Sequence, residues 1–140
     1  MEVSAAMRFK LYLGVTGDKA VIEQLGNELV VPGAESRALV PKSGPVPGQQ
    51  VRWLWRTKYH AVTTNSPEDE LRDFLLGHKH LFPVIDRYRS RLAEIGATIV
   101  AQYDDNEQPR GYSFSADTVR LLSELGATLE IDAVRVMAPA

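Results

Sequence analysis

The residues best suited to chemistry are aromatic and basic side chains in three short stretches of the chain. The first stretch surrounds Tyr12, the second runs over residues 52–60, and the third runs over residues 110–115. The candidate ligand-binding residues in these stretches are Tyr12, Trp53, Trp55, Arg56, Arg110, Tyr112 and Phe114. Aromatic rings on an open sheet can stack on unpaired bases or other flat ligands, and a nearby cation can contact a phosphate. The composition of these stretches is therefore typical of a binding surface.

Arg110-Gly-Tyr-Ser-Phe-Ser115 resembles the first ribonucleoprotein motif of the RNA-recognition fold, and Leu11-Tyr-Leu-Gly-Val15 is similar to the second. The resemblance implies that the rings of Tyr12, Tyr112 and Phe114 stack on bases while the arginine contacts phosphate. The alternative is that these rings pack under the helix pair or under the proline-rich loop over 32–50. A net charge of −2 lacks the basic surplus that nucleic-acid binders usually carry, so such packing is the preferred interpretation.

The tryptophans at positions 53 and 55 allow three interpretations. On a strand, one face carries Trp53, Trp55, Thr57 and Tyr59, and the other carries Leu54, Arg56 and Lys58. Large rings on one face usually belong to the core, whereas the opposite cations meet solvent. A ligand groove lined by tryptophan and arginine is the second interpretation. The third is an enzyme site formed by Trp53, Arg56 and His60.

No set of residues indicates a metal, a cofactor or a nucleophile. The chain has no cysteine, and therefore no thiolate ligand or thiol nucleophile. His78 and His80 are two positions apart, so on a helix they point in different directions and do not chelate one ion together. Residues 14–19 lack the Gly-Lys-Ser/Thr ending of a phosphate loop, and no Gly-x-Ser-x-Gly elbow is present. We therefore expect no metal, no cofactor and a non-enzymatic role.

Length and composition predict one domain over residues 1–140, with an ordered core over about 8–136. The hydrophobic content of 44% and the charged content of 24% are ordinary for a globular protein. The first residues do not form a signal peptide, and no run approaches the ~18 apolar residues of a membrane span. We expect a soluble cytoplasmic protein.

The elements that position the candidate residues begin with a strand over Phe9–Val15, in which apolar residues alternate. A helix that ends at Gly26 and a short extended segment over 29–31 follow. Residues 32–50 contain four prolines and three glycines, which predict a long loop. Residues 52–60 are predicted to form the next strand.

The second half of the chain begins with a strong helix start, Ser66-Pro-Glu-Asp69. An apolar stripe at helical spacing continues to Ile95, and Pro83 interrupts it, which predicts a helix pair or one kinked helix. Strands over 98–103 and 111–114 are predicted to form a hairpin. Ser115 is expected to cap the last helix and Gly126 to end it, before a closing strand.

The segment from Val15 to Gly26 resembles the segment from Phe114 to Gly126, since both read as strand, cap, helix and glycine. Two such units suggest an α+β fold with a ferredoxin-like antiparallel sheet of about five strands. Its helices would lie on one face, and the central helix pair would be an insertion. The alternative is that any short capped helix ending in glycine has this appearance.

Over residues 8–136 the chain resembles a bacterial family catalogued as domain of unknown function 4279. The resemblance lies in the Phe9–Val15 strand, the Leu25-Gly26 helix stop, the glycine-bearing loop before Trp53, the leucine-rich central helices and the closing Leu125-Gly-Ala-Thr-Leu-Glu-Ile-Asp132. It implies an α+β domain and no assigned catalytic residue.

The leading hypothesis is a non-enzymatic protein-interaction or regulatory domain. Its partner would be another protein or a second copy, contacted through a sheet edge or through the loop over 32–50. Binding of single-stranded nucleic acid or a small ligand on an open aromatic sheet face is the alternative. An enzyme with an unrecognised site is the third.

Overall fold

The structure is a computed structural model that describes residues 7–41, 43–44, 47–48, 50–103 and 112–136. Its strands are β1 (Met7–Gly17), β2 (Glu35–Leu39), β3 (Arg52–Arg56), β4 (His60–Thr64), β5 (Leu92–Tyr103) and β6 (Thr128–Arg135). Its α-helices are α1 (Lys19–Glu28), α2 (Pro67–Gly77), α3 (Phe82–Tyr88) and α4 (Ala116–Leu125), with 3₁₀ turns at Lys79–Leu81 and Arg89–Arg91. The chain is therefore an α+β domain, as predicted.

The described strands form one mixed sheet with the order β2-β3-β1-β5-β6. β3 pairs with the C-terminal end of β1 and β4 with its N-terminal end, so both lie along the same edge of β1. Every pair is antiparallel except β5 and β6, which are parallel. The prediction of about five antiparallel strands thus differs from the six strands observed. The parallel pair is possible because α4 supplies the crossover connection that parallel neighbours need.

Thr57 fills the break between β3 and β4. Its N–H donates to the carbonyl of Leu13 at 2.9 Å, and its Oγ1 accepts from the N–H of Leu13 at 3.1 Å. The side chain is only 1% exposed, so these bonds replace the missing ladder bonds in a dry environment. The single strand predicted over 52–60 is therefore two strands joined at a buried threonine.

One face of the sheet carries the core. The odd-numbered residues of β1 from Phe9 to Val15 are all almost fully buried, because the alternation of a strand points them to the same side. Their register partners on β5 include Ile95, Ala97 and Ile99, which are buried with them. The helices contribute their apolar stripes to the same cluster through Ile22, Leu25, Leu71, Leu75, Ile85, Leu122 and Leu125. The four α-helices therefore lie on this face of the sheet.

The central helix pair is shorter than predicted. α2 begins after Ser66 as expected, and Pro83 lies in the first turn of α3, where no N–H is needed. The stripe does not continue as helix to Ile95, because β5 already begins at Leu92. Apolar residues at positions 92 and 95 fit a helical stripe, but they form a strand because β5 pairs with β1.

Four further predictions need correction. β2 lies inside the predicted loop over 32–50, and residues 29–31 form no strand. Gly26 lies within α1, where a Cβ would be 3.4 Å from Cδ1 of Trp55, so its small size permits close packing rather than ending the helix. Residues 112–114 are not in a strand, and the rest of the predicted hairpin turn, 104–111, lies outside the described residues.

The predicted boundaries of the last helix are confirmed. Ser115 accepts a bond from the N–H of Thr118, and Gly126 adopts a left-handed φ of 68° just after α4. None of the described helices is long and apolar enough to cross a membrane.

Candidate functional site

The sheet has an open face on the side opposite its helices. The even-numbered residues of β1, from Lys10 to Thr16, point to this side, and none of the four described α-helices packs there. Registered partners on β5, namely Glu94, Gly96, Thr98 and Val100, point the same way. The candidate site described below lies on this open face.

Two glycines meet at the centre of the open face. Gly14 of β1 and Gly96 of β5 are direct partners in the antiparallel register. Neither has a positive φ, so the backbone conformation does not demand glycine at either position. A glycine inside a strand weakens it and often marks a place where another group approaches the backbone closely. The paired glycines therefore remove two side chains from the middle of the sheet.

A depression with a volume of about 230 Å³ lies above these glycines. One wall is formed by Leu54, Thr16 and Glu94, which are successive neighbours across β3, β1 and β5. The lining is completed by Tyr12, Arg37, Leu39, Thr98, Thr128 and Glu130. Five strands thus contribute side chains to one concave site.

Charges of opposite sign lie at the two ends of the depression. Arg37 comes from β2 at one end, and Glu94 and Glu130 come from β5 and β6 at the other. None of these three side chains forms an ion pair with another described residue. The site therefore presents both charges to an incoming group.

An unused polar atom lies in the wall of the depression. Oγ1 of Thr16 is buried and has no hydrogen-bond partner. A buried polar atom without a partner costs free energy, and most buried polar atoms in folded proteins have one. Thr16 therefore has unused capacity to donate or accept a hydrogen bond beside the glycine floor.

Arg56 also lies on the open face, where it supports the wall. Its guanidinium carbon is 4.0 Å from the ring centre of Tyr59, its Nη2 donates to Glu35 at 3.0 Å, and its Nη1 donates to the carbonyl of Thr57. Tyr59 in turn contacts Tyr12 edge to face, with ring centres 5.4 Å apart. Arg56 thus contacts the Tyr59 ring, which contacts Tyr12, while its own Nε is buried without a hydrogen-bond partner.

The structure does not bring the tryptophans and Arg56 into one groove. Trp55 is 2% exposed and belongs to the core, and Trp53 packs against that core with Nζ of Lys19 5.2 Å from its ring centre. Both lie on the helix side of β3, because they share the face of Val15, whereas Arg56 shares the face of Gly14. Tyr59 does not share the tryptophan face as predicted, since the break at Thr57 redirects the chain.

The three rings of the predicted base-stacking platform also lie apart. Tyr12 is on the open face, whereas Tyr112 contacts Phe9 of the core edge to face at 6.1 Å. Phe114 is partly buried against the same core. Tyr112 and Phe114 thus pack on the helix side, as the preferred interpretation allows, whereas Tyr12 does not. Arg110 lies outside the described residues.

His60 and His78 have ordinary packing roles. His60 is paired with Leu11 on the helix side and stacks on Phe74 at 5.9 Å, so it does not converge with Trp53 and Arg56. Nδ1 of His78 donates to the carbonyl of Phe74 at 2.8 Å, which satisfies that nitrogen. No group of three or more metal-ligating side chains is found among the described residues.

A second cavity, of about 620 Å³, lies between the end of α1 and β2. It is lined by Glu23, Gly26, Asn27, Leu29, Val30, Val31, Ala34, Ser36 and Trp55. Glu23 is the one charged side chain in this lining, beside the polar Asn27 and Ser36, whereas the depression offers charges of both signs. The depression on the open face is the better defined site.

Of the sequence-predicted site residues, Tyr12 lines the depression directly. Sequence analysis missed its other important residues, Gly14, Arg37, Glu94, Gly96 and Glu130. The available signal was the presence of single glycines inside strand patterns, which can mark close approach of another group.

Residues 7–134 match the model of a protein family described as Domain of unknown function (DUF4279). The chain belongs to this family. The match spans every described helix and all residues that line the depression, so the DUF4279 domain includes the whole candidate site. Neither the comparison with curated proteins nor that with solved structures finds a match. The DUF4279 membership agrees with the family resemblance in the sequence and assigns no activity.

Proposed function

We propose that this chain is a non-enzymatic binding domain that takes a small polar ligand in the depression on its open face. The observation that carries the proposal is the registered pair Gly14 and Gly96, which opens the floor of a site lined by unpaired charges. Concave sites with a few convergent polar groups are the usual form of small-molecule sites. The glycine floor lets a ligand approach the backbone of β1 and β5.

The lining favours binding over catalysis. Its carboxylates, Glu94 and Glu130, come from different strands, and neither contacts a described histidine, lysine or serine. General acid–base and nucleophilic mechanisms require a base within hydrogen-bond reach of the group that it activates. We therefore assign recognition to this site and no reaction.

We also infer that β1, α1, β2, β3, α2, α3 and β5 form a ferredoxin-like unit, to which α4 and β6 add a parallel extension. Two features support this inference: β3 lies between β1 and β2, and β1 lies between β3 and β5. In such a unit, helices cover one face and leave the other available for ligands.

The test is an NMR titration of uniformly ¹⁵N-labelled protein with amino acids, short peptides, organic acids, amines, sugars and nucleotides. We expect at least one compound to shift the amide signals of Gly14, Gly96 and Thr98, and Gly96→Ala to need about tenfold or more of that compound for the same shifts. A panel that leaves these signals unchanged, or shifts only residues of the helix side, would overturn the proposal.

A second candidate function is association of two copies through the edge strand β6. Within the described part of the chain β6 pairs only with β5, and Ile131 and Val134 are 40% and 43% exposed on its two faces. An exposed edge with apolar side chains favours pairing with another strand. Sedimentation velocity tests this candidate: a dimer that Ile131→Lys converts to monomer supports it, and a wild-type protein that is monomeric at every concentration contradicts it.

A further inference from the structure

We propose, as an extension that rests on the proposed function, that the ligand of the open-face depression is a small zwitterion. Its carboxylate would contact Arg37, and its ammonium group would lie near Glu94 and Glu130. Dipeptides and longer-chain amino acids, whose two charges are several bonds apart, belong to this chemical class.

The first argument for a zwitterion is that the depression contains charges of both signs. Arg37 is a permanent cation, and Glu94 and Glu130 are exposed carboxylates, yet none of the three pairs with another described residue. A purely anionic ligand would meet the two carboxylates, and a purely cationic ligand would meet the guanidinium. Like charges brought together disfavour binding, so a ligand with one charge of each sign suits both ends.

The second argument is that the spacing of the strands sets the distance between the two charges of the ligand. Arg37 and Glu94 are three strands apart in the order β2-β3-β1-β5, which is about 14 Å between backbones at roughly 4.8 Å per step. Both side chains lean into the depression and shorten this gap, but they do not come within ion-pair distance of each other. A ligand with its two charges separated by several bonds can bridge the remaining distance.

The size and the remaining lining restrict the ligand further. A volume of about 230 Å³ is smaller than the roughly 300–1,000 Å³ of typical drug-sized sites, which favours a longer-chain amino acid or a dipeptide over a nucleotide. Leu39 and Leu54 offer apolar contact to a short aliphatic chain. The ring of Tyr12 can attract an ammonium group, and Oγ1 of Thr16 has a free hydrogen-bonding position.

The test compares 6-aminohexanoate with hexanoate and hexylamine, which keep the chain but each lack one charge. Dissociation constants are measured by NMR titration on the wild type, Arg37→Gln, Glu130→Gln and Arg120→Gln. Arg120 lies on α4, far from the depression in the fold, and pairs with Asp117, so its variant is a control for a lost surface cation. Thermal unfolding of each variant checks that it is folded.

We expect 6-aminohexanoate to bind at least about tenfold more tightly than either single-charge analogue, because both ends of the site are then used. Arg37→Gln and Glu130→Gln should each remove most of this advantage, and Arg120→Gln should keep it. If hexanoate or hexylamine shifts the signals of Gly14 and Gly96 and binds as tightly as 6-aminohexanoate, the zwitterion proposal is overturned and the proposed function remains intact. If none of the three compounds binds, the zwitterion proposal is wrong, and the wider ligand panel decides the proposed function.

Discussion

Gly14 and Gly96 are direct register partners on β1 and β5 at the centre of the open face. Glycine inside a strand costs about 0.5–1 kcal/mol relative to alanine, and neither position needs a left-handed backbone. Two such residues side by side lower the stability of the sheet without a conformational reason. At Gly14 a Cβ would be 3.2 Å from Cδ1 of Leu54, so side-chain packing also favours glycine there, whereas at Gly96 the proposed site accounts for the open space.

The two glycines should respond differently to alanine. A Cβ at Gly96 would have its nearest neighbour at 3.7 Å, so Gly96→Ala should leave the free energy of unfolding unchanged or raise it by up to about 1 kcal/mol. At Gly14 it would be 3.2 Å from Cδ1 of Leu54, so Gly14→Ala should be the less stable of the two variants. Urea unfolding measures both. A large loss of stability in Gly96→Ala would mean that this glycine serves folding rather than binding.

Thr57→Val should destabilise the domain. The substitution keeps the shape of the side chain but leaves the buried N–H of Leu13 without its acceptor, which costs about 1–3 kcal/mol. Thr57→Ser, which keeps the hydroxyl, should lose less free energy of unfolding than Thr57→Val. Thr63→Val on the exposed part of β4 is the matched control and should change the free energy of unfolding by no more than about 0.5 kcal/mol. Equal effects at positions 57 and 63 would contradict this role of Thr57.

Gly126→Ala should cost more than Gly77→Ala. Gly126 has a left-handed φ of 68°, which costs a residue with a Cβ about 1–2 kcal/mol, and that Cβ would collide with the guanidinium of Arg89. Nη2 of Arg89 donates to the carbonyl of Leu125 at 2.6 Å, so displacing it also removes a cap from α4. Gly77 ends α2 with nothing near its missing Cβ, so alanine there should be neutral or stabilising. Thermal unfolding of the two variants decides between these outcomes.

Tyr88 should make the domain sensitive to alkaline pH. Burial raises the pKa of its hydroxyl above the ordinary value of about 10, and a hydrogen bond to Glu28 with the charge of that carboxylate raises it further. Arg91 and Arg87 oppose the shift. The stability that the protonated hydroxyl contributes is fully present below pH 10 and is lost as pH rises through the folded-state pKa.

Tyr88→Phe removes this titration. The difference in unfolding free energy between the wild type and Tyr88→Phe should therefore be constant below about pH 9.5 and shrink above pH 10. Urea unfolding between pH 8 and pH 11 measures the difference, and subtraction cancels the groups that the two proteins share. A difference that stays constant to pH 11 would contradict the raised pKa.

Much of the local structure is visible in the sequence, because it depends on neighbouring residues. The alternation of β1, the cap at Ser115 and the stop at Gly126 are such local features, and all three are present in the structure. Where local patterns conflict with tertiary packing, the prediction fails. Leu92 and Ile95 fit a helical stripe but lie in β5, and Gly26 fits a helix stop but lies in α1 against Trp55.

The candidate site could not be predicted because it depends on register. Gly14 and Gly96 are far apart in sequence, and only the pairing of β1 with β5 places them together. Arg37 lies in a stretch with the proline and glycine content of a loop, although it belongs to β2. The aromatic motif, in contrast, is visible in the sequence but is divided between the two faces of the sheet.

The most direct measurement is the affinity of the tightest-binding compound of the panel for three proteins: the wild type, Gly96→Ala and Gly77→Ala. Each alanine variant adds one methyl group to a glycine that is not in a left-handed conformation, but only the first places it on the floor of the depression. Isothermal titration calorimetry should give a dissociation constant that is at least about tenfold higher for Gly96→Ala than for the wild type. This corresponds to a loss of at least about 1.4 kcal/mol of binding free energy. The dissociation constant of Gly77→Ala should equal that of the wild type. Equal affinity in all three proteins would show that the ligand does not use the depression.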